Sequence, residues 1–348
     1  MSTQPIGDLI KTVSKLLVTD EPLVAGPVSG SFTTLAACEV AHSRPVLLLM
    51  AHDDDADDAF ATCSERSVNA CLFPALESED QEDLIAMRLG IVEKLGSLQS
   101  GVVVTSAAAL MQTIQSPTEL HQVVRRITVG DSHSLSELQE WLVQSGYERR
   151  QTIDEQGQFA VRGGVIDIAT PAGEFVRIDF FGDEVEKMNE VDPVSLGSDR
   201  AVGEVILTTM KHEPSISTLF DYIGENWQVI ISDTDEYYAQ LNSYYGRVID
   251  ASSLCHPDDL KVAMSNATSR IVACKTLKEH GFDIELGVSS LQSFSQSPTE
   301  ALAELSHIAE AMNVVVLCQT VGELKRMKDF AEEDQPLHGH AALSVEGG

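Results

Sequence analysis

Basic side chains are scarce in this 348-residue sequence: 23 lysines and arginines stand against 54 aspartates and glutamates, for a formal net charge of −31. A field of that sign repels phosphate backbones, so free-standing nucleic-acid binding is disfavoured wherever no local basic patch overcomes it. A solubility or salt-environment adaptation accounts for the acidity equally well, and both readings stay open. Cysteines number six, at 38, 63, 71, 255, 274 and 318, far apart and without a CxxC pair. That pattern fits reduced, packed thiols and neither a disulfide framework nor a zinc site. The first twenty residues include Asp8, Lys11 and Lys15, which excludes a signal peptide, and no apolar run approaches the roughly 20 residues that cross a bilayer. The expectation is a soluble cytoplasmic protein with no membrane contact.

Catalytic signatures are missing too. There is no HExxH and no GxSxG, and His52, His121 and His133 have no partner ligands at helical spacing. The run His52–Asp58 (HDDDADD) follows an apolar strand directly. Consecutive carboxylates diverge, so these suit the start of a helix better than a metal site. Residues 26–34 (GPVSGSFTT) stand where a phosphate loop would precede a first helix. Such a loop needs the lysine of GxxxxGK[ST] to reach the β and γ phosphates. Gly26, Gly30 and Ser31 keep part of the pattern, but Ser31 or Phe32 occupies the lysine position. A degenerate loop, no ATP hydrolysis and no cofactor are expected. A turn that only caps a helix is equally consistent with these residues.

What is present is an α/β pattern. At 43% apolar residues the chain can build ordinary cores, and its length allows one large core or two to three smaller ones, with several units expected. Pro45–Met50 (PVLLLM) and Gly101–Ser106 (GVVVTS) read as strands buried on both faces, with Cys71–Phe73 as a shorter one. Apolar spacing predicts helices over 6–18, 35–42, 83–98 and 107–114. Strand-to-helix units resume at 227–244, 270–273, 301–311 and 314–332. A low-complexity tail from Gln335 is expected to fray.

Between about 120 and 206 the texture differs. Ser134–Gln144 reads as a capped helix, and beyond it Phe159 and Val161, Ile166 and Ile168, then Val176, Ile178 and Phe180 alternate onto one face. Glycines at 157, 163, 164, 173 and 182 break this stretch into antiparallel strands, so a small α+β domain is inserted into the α/β frame. It holds eight of the 23 basic residues. If strands 158–162 and 175–181 are neighbours, Arg162 and Arg177 share the polar face. Two readings stand for them: forked anchors at a protein interface, or local pairs with Asp167, Asp179 or Glu186 of little energetic weight. Phe181 points away from the buried face, as an interface aromatic or as a ring packed under helix 134–144.

Several segments carry a resemblance: Ser145–Arg149 (SGYER), Gly157–Ile168 (GQFAVRGGVIDI), Pro171 and Val176–Glu186 (VRIDFFGDEVE), with Phe73–Glu77 and Asp83–Leu89 upstream. Together they resemble the amino-terminal UvrB-like region of the bacterial transcription-repair coupling factors (Mfd). The resemblance implies a degenerate P-loop, helicase-type domain, with residues 1–119 and 207–348 as its two halves, the latter ending in the flexible tail. Residues 120–206 are then the inserted α+β domain that docks UvrA, with Arg149, Arg162, Arg177 and Phe181 lining the contact. It further implies a non-catalytic recruiting module that links removal of stalled RNA polymerase to nucleotide excision repair. The chain would be a piece of a longer ATP-dependent DNA translocase, whose other domains contact RNA polymerase and DNA. The loss of the loop lysine, and Asp154–Gln156 where UvrB has arginines, favour this family over UvrB itself. The alternatives are a UvrB-like ATP-dependent damage protein and a purely structural domain of the translocase.

Overall fold

The computed structural model describes residues 15–66, 68–77, 81–171, 173–192, 198–210, 217–276, 281–286, 288, 294, 297–310, 314–318, 321–322, 325–326, 328–329 and 341–345. The chain divides into two compact units, Ile10–Val288 and a second made of Ser289–Gly348 with Met1–Leu9. Of the helix expected over 6–18, only 15–18 lie among the described residues, and Lys15–Leu17 forms a single 3-10 turn.

The first unit opens with β1 (Leu23–Gly26), a loop and α1 (Phe32–Val40), which starts three residues earlier than its apolar spacing suggests. β2 (Pro45–Met50) hands the chain to α2 (Asp53–Glu65). Asp53, Asp54 and Asp55 occupy the first turn of α2, where their charge faces the unpaired helix N–H groups. β3 (Ala70–Phe73), α3 (Glu82–Leu95), β4 (Gly101–Ser106) and α4 (Ala107–Met111) follow. α4 stops short of residue 114 because Gln112 turns extended and bridges to Leu254.

Next come β5 (Val124–Thr128), α5 (Leu135–Gln144), β6 (Glu148–Arg149), β7 (Gln158–Arg162), β8 (Val165–Ala169), β9 (Phe175–Phe181), β10 (Glu184–Val191), β11 (Ser198–Val202) and β12 (Glu204–Thr208). The chain returns through β13 (Gln228–Ile231), α6 (Thr234–Arg247), α7 (Pro257–Ala267), β14 (Ile271–Cys274) and β15 (Ile284–Glu285). In the second unit α8 (Pro298–Ala309) precedes β16 (Val314–Cys318), which pairs in parallel with β17 (Ala341–Val345). That last strand lies within the tail expected to fray.

Strands β15-β1-β14-β13-β2-β4-β3 form one sheet, parallel at every pairing. β2 and β4 are interior strands of this sheet with nearly every side chain buried. The reason is that both sheet faces are covered: Leu47, Leu49, Val103 and Val229 enter one core, and Val46, Leu48, Val104 and Ile230 the other. This is the mixed α/β architecture that the apolar runs predict.

The inserted segment builds a six-stranded sheet, β11-β10-β9-β8-β7-β6, antiparallel apart from the β6–β7 pair. Alternation puts Phe159, Ile166, Ile168, Val176, Ile178 and Phe180 on one face, where α5 covers them with Leu138, Trp141 and Leu142. α5 starts at Ser134, whose hydroxyl accepts from the Glu137 N–H at 3.4 Å. It ends in paired bonds from Gly146 N–H to Val143 and from Tyr147 N–H to Leu142, the Schellman arrangement. Ile85 and Leu89 of α3 pack on Val124, and Arg126 forks onto Glu93 of α3 at 3.0 and 2.6 Å, so the insert is tied to the parallel-sheet layer. Among the described residues no helix is long and apolar enough to cross a membrane.

Candidate protein-binding face

The face of the six-stranded sheet opposite α5 carries the polar positions of each strand, because successive side chains alternate. Cross-strand register arranges them in rows. Arg162, Val165, Asp179 and Lys187 face one another across β7 to β10, and Ala160, Asp167, Arg177 and Asn189 form the next row. Arg162, Val165, Asp167, Arg177, Asp179, Lys187 and Asn189 line one shallow depression on this face. Two residues beyond Asp179 on β9 stands Phe181, a residue 77% exposed. The two-residue turn Gly182–Asp183 follows, and Gly182 has φ of +63°, a left-handed value that L side chains rarely adopt.

The charges are partly matched within the face. Arg177 forks onto Asp167, Nε to Oδ1 at 2.6 Å and Nη2 to Oδ2 at 3.0 Å, and the Asp167 side chain is only 6% exposed. The hydrogen bond to Asp167 holds the Arg177 guanidinium above its ordinary pKa. Lys187 pairs with Asp179 at 3.1 Å. Arg162 donates through Nη2 to the Gln151 carbonyl at 2.9 Å and makes no ion pair among the described residues. Local pairing therefore describes Arg177, while Arg162 presents an exposed guanidinium tethered to backbone.

β8 lies between β7 and β9, so Arg162 and Arg177 sit on strands that are not neighbours, yet they share the face. Phe181 does not pack under α5; it stands in solvent on the opposite side of the sheet. Arg149 is separated from the other three. On β6 it is registered with the core residue Phe159, and it lines a groove with Ser136, Gln139, Glu140, Val143 and Gln144 of α5. Lys187 and Asn189 belong to the face although their strand shows little apolar alternation; the β9–β10 register is the signal that places them.

The loop after Gly26 joins β1 to α1. Val28 N–H donates to the Lys275 carbonyl and Lys275 N–H to that of Ala25, which fixes the loop against the end of β14. Phe32 is half-buried and packs on the core beneath α1 and α2. Ser31 precedes α1 without a side-chain cap bond, and the neighbourhood of Gly30 is open. Lys275, whose backbone adjoins this loop, directs its Nζ to Asp235 at 2.9 Å. A Cβ on Gly26 would lie 2.5 Å from both the Lys275 carbonyl oxygen and the Phe282 ring. Gly26→Ala is therefore expected to cost about 1–3 kcal/mol, as overpacking does when backbone has to shift. Urea denaturation of the two chains measures it. Among the described residues no group of three or more His, Cys, Asp or Glu side chains is placed to hold a metal ion.

Within the strand-rich, helix-backed segment with one open polar face, residues 126–212 match the UvrB interaction domain family. More of the chain aligns with transcription-repair-coupling factors. It is 30% identical to that of Mycobacterium tuberculosis over 206 residues, covering 55% of this chain and 16% of that protein. Against the Escherichia coli transcription-repair-coupling factor it is 23% identical over 235 residues, 64% of this chain and 20% of that protein. UvrABC system protein B of Helicobacter hepaticus is 36% identical over 123 residues, 35% of this chain and 18% of that protein. The aligned regions thus span about a fifth or less of the length of these relatives.

Proposed function

We propose that this chain is a non-catalytic module that recruits UvrA, and that in a longer protein it links removal of stalled RNA polymerase to nucleotide excision repair. The observation that carries this is the exposed Phe181 beside an arginine-bearing open sheet face, inside the segment that matches the UvrB interaction domain. Aromatic and arginine side chains are enriched at interfaces, and those buried at the centre of the contact carry much of its energy. Residues 120–206 are the docking domain, with Arg162, Arg177 and Phe181 in the contact. Arg149 contributes only where the partner reaches round to the α5 side.

Residues 1–119 and 207–348 are proposed as the two halves of a degenerate P-loop, helicase-type domain. The all-parallel sheet and the strand–loop–helix at residues 23–40 support that assignment. With Phe32 where a phosphate loop needs its lysine and Lys275 engaged by Asp235, this loop is assigned no ATP chemistry. ATP-driven translocation, RNA polymerase and DNA are assigned to further domains of a longer parent protein, which acts in the cytoplasm.

Calorimetric titration of the chain with UvrA at moderate salt tests the proposal. Saturable binding is expected, weakened as salt rises because part of the contact is ionic. A folded chain that binds no UvrA would overturn the recruiting role and leave a structural one.

A further inference from the structure

Cys38 of α1 and Cys63 of α2 lie 25 residues apart in sequence, and their sulfurs are 3.3 Å apart in the core. Both are free thiols, 1% and 0% exposed, joined by one S–H···S hydrogen bond. A disulfide needs an S–S distance of about 2.05 Å. A shift of little more than 1 Å between two adjacent helices would close it. Neither residue belongs to the open sheet face.

We propose that Cys38 and Cys63 form a dithiol modification site, converted by peroxide-class oxidants to a disulfide that pins α1 to α2. The Cys38 sulfur attacks one peroxide oxygen, the O–O bond breaks, and the leaving oxygen departs as water with the thiol proton. Cys38 is then a sulfenic acid. The Cys63 sulfur attacks the Cys38 sulfur, the S–O bond breaks, and a second water leaves with the Cys63 proton. Two thiols lose two electrons in all, and one peroxide becomes two waters.

The order of attack follows from the surroundings. The hydrogen bond between Cys38 and Cys63, with the Arg66 guanidinium nearby, draws the Cys38 thiol below its ordinary pKa against the opposing effect of burial. The same hydrogen bond and burial push Cys63 upward. Cys38 is the attacking group because the thiolate is the reactive species. Burial makes the reaction depend on local opening of α1 or α2, so it is slow beside surface oxidation. Once formed, the bond closes residues 39–62 into a loop and restricts the unfolded chain.

The full chain is treated with hydrogen peroxide, its remaining thiols are alkylated under denaturing conditions, and peptides are mapped by mass spectrometry. The expected result is a Cys38–Cys63 linked peptide, loss of alkylation at those two residues, and a Tm raised by several degrees that dithiothreitol reverses. Cys63→Ser is expected to leave a sulfenic acid on Cys38 that dimedone traps. Full alkylation of Cys38 and Cys63 while the half-buried Cys71 and Cys255 oxidise would overturn the proposal, as would a linkage of either to another cysteine. The mapping is made on the unsubstituted chain, so a variant that fails to fold does not affect it.

Discussion

Replacing Arg88 with methionine is expected to destabilise the larger unit by about 3–5 kcal/mol, the scale on which removing one partner of a buried charged network is felt. Arg88 lies on α3 with 2% exposure, and its partners are carbonyls. Nη1 donates to Pro74 at 2.6 Å and to Gln112 Oε1 at 3.2 Å, and Nη2 donates to the Gln112 carbonyl at 3.0 Å. Ala109 accepts at 3.3 and 3.4 Å, and the guanidinium stacks 4.1 Å over the Phe73 ring. Burial pushes its pKa down to about 9, so it keeps its charge at neutral pH. One side chain thereby joins the segment after β3 to α4 and the residue that ends it.

A hydrophobic replacement of a buried pair is often neutral when both partners go. Here the acceptors are mostly backbone and stay behind unsatisfied. Arg88→Lys restores charge but not the planar fork, and is expected to recover part of the loss. Urea midpoints of the three chains decide it. A loss below about 1 kcal/mol for Arg88→Met would mean that water takes over the guanidinium's bonds.

The contrast between Arg88 and the strands shows which features a sequence exposes. PVLLLM and GVVVTS are legible because burial on both faces leaves continuous apolar runs, and the insert is legible because burial on one face leaves alternation. That alternation also puts Phe181 outside. Arg149 was not separable from the other three because β6 has two residues, too few to show which face a side chain takes. The Arg177–Asp167 fork depends on strand register, and β8 between β7 and β9 sets that register. The cage around Arg88 is drawn from residues 74, 109 and 112, largely through backbone carbonyls that carry no residue signature. Cys38 and Cys63 meet because α1 and α2 pack side by side, which neither helix's own spacing encodes.

Phe181→Ala is expected to weaken UvrA binding by about 10–100-fold, the range of an interface hot spot, while leaving the unfolding midpoint unchanged. The second half follows from geometry: Phe181 is 77% exposed, so truncating its ring removes little from the core. The first follows from burial on docking. An aromatic of this size removes on the order of 150 Å² from water, worth up to about 4 kcal/mol before ordering and association costs reduce it. Charge reversals are less clean. Arg177→Glu sets a second carboxylate against the buried Asp167 and is expected to damage the fold, so a loss of binding would say nothing about the contact. Arg162 has its hydrogen bond to the Gln151 carbonyl and no ion pair among the described residues, so Arg162→Glu is expected to lower the association rate and its salt dependence with folding intact. Calorimetry and unfolding on Phe181→Ala and Arg162→Glu separate contact from stability. If both bind UvrA like the parent chain, the docking surface is elsewhere, and the groove between Arg149 and α5 becomes the place to test with Arg149→Glu.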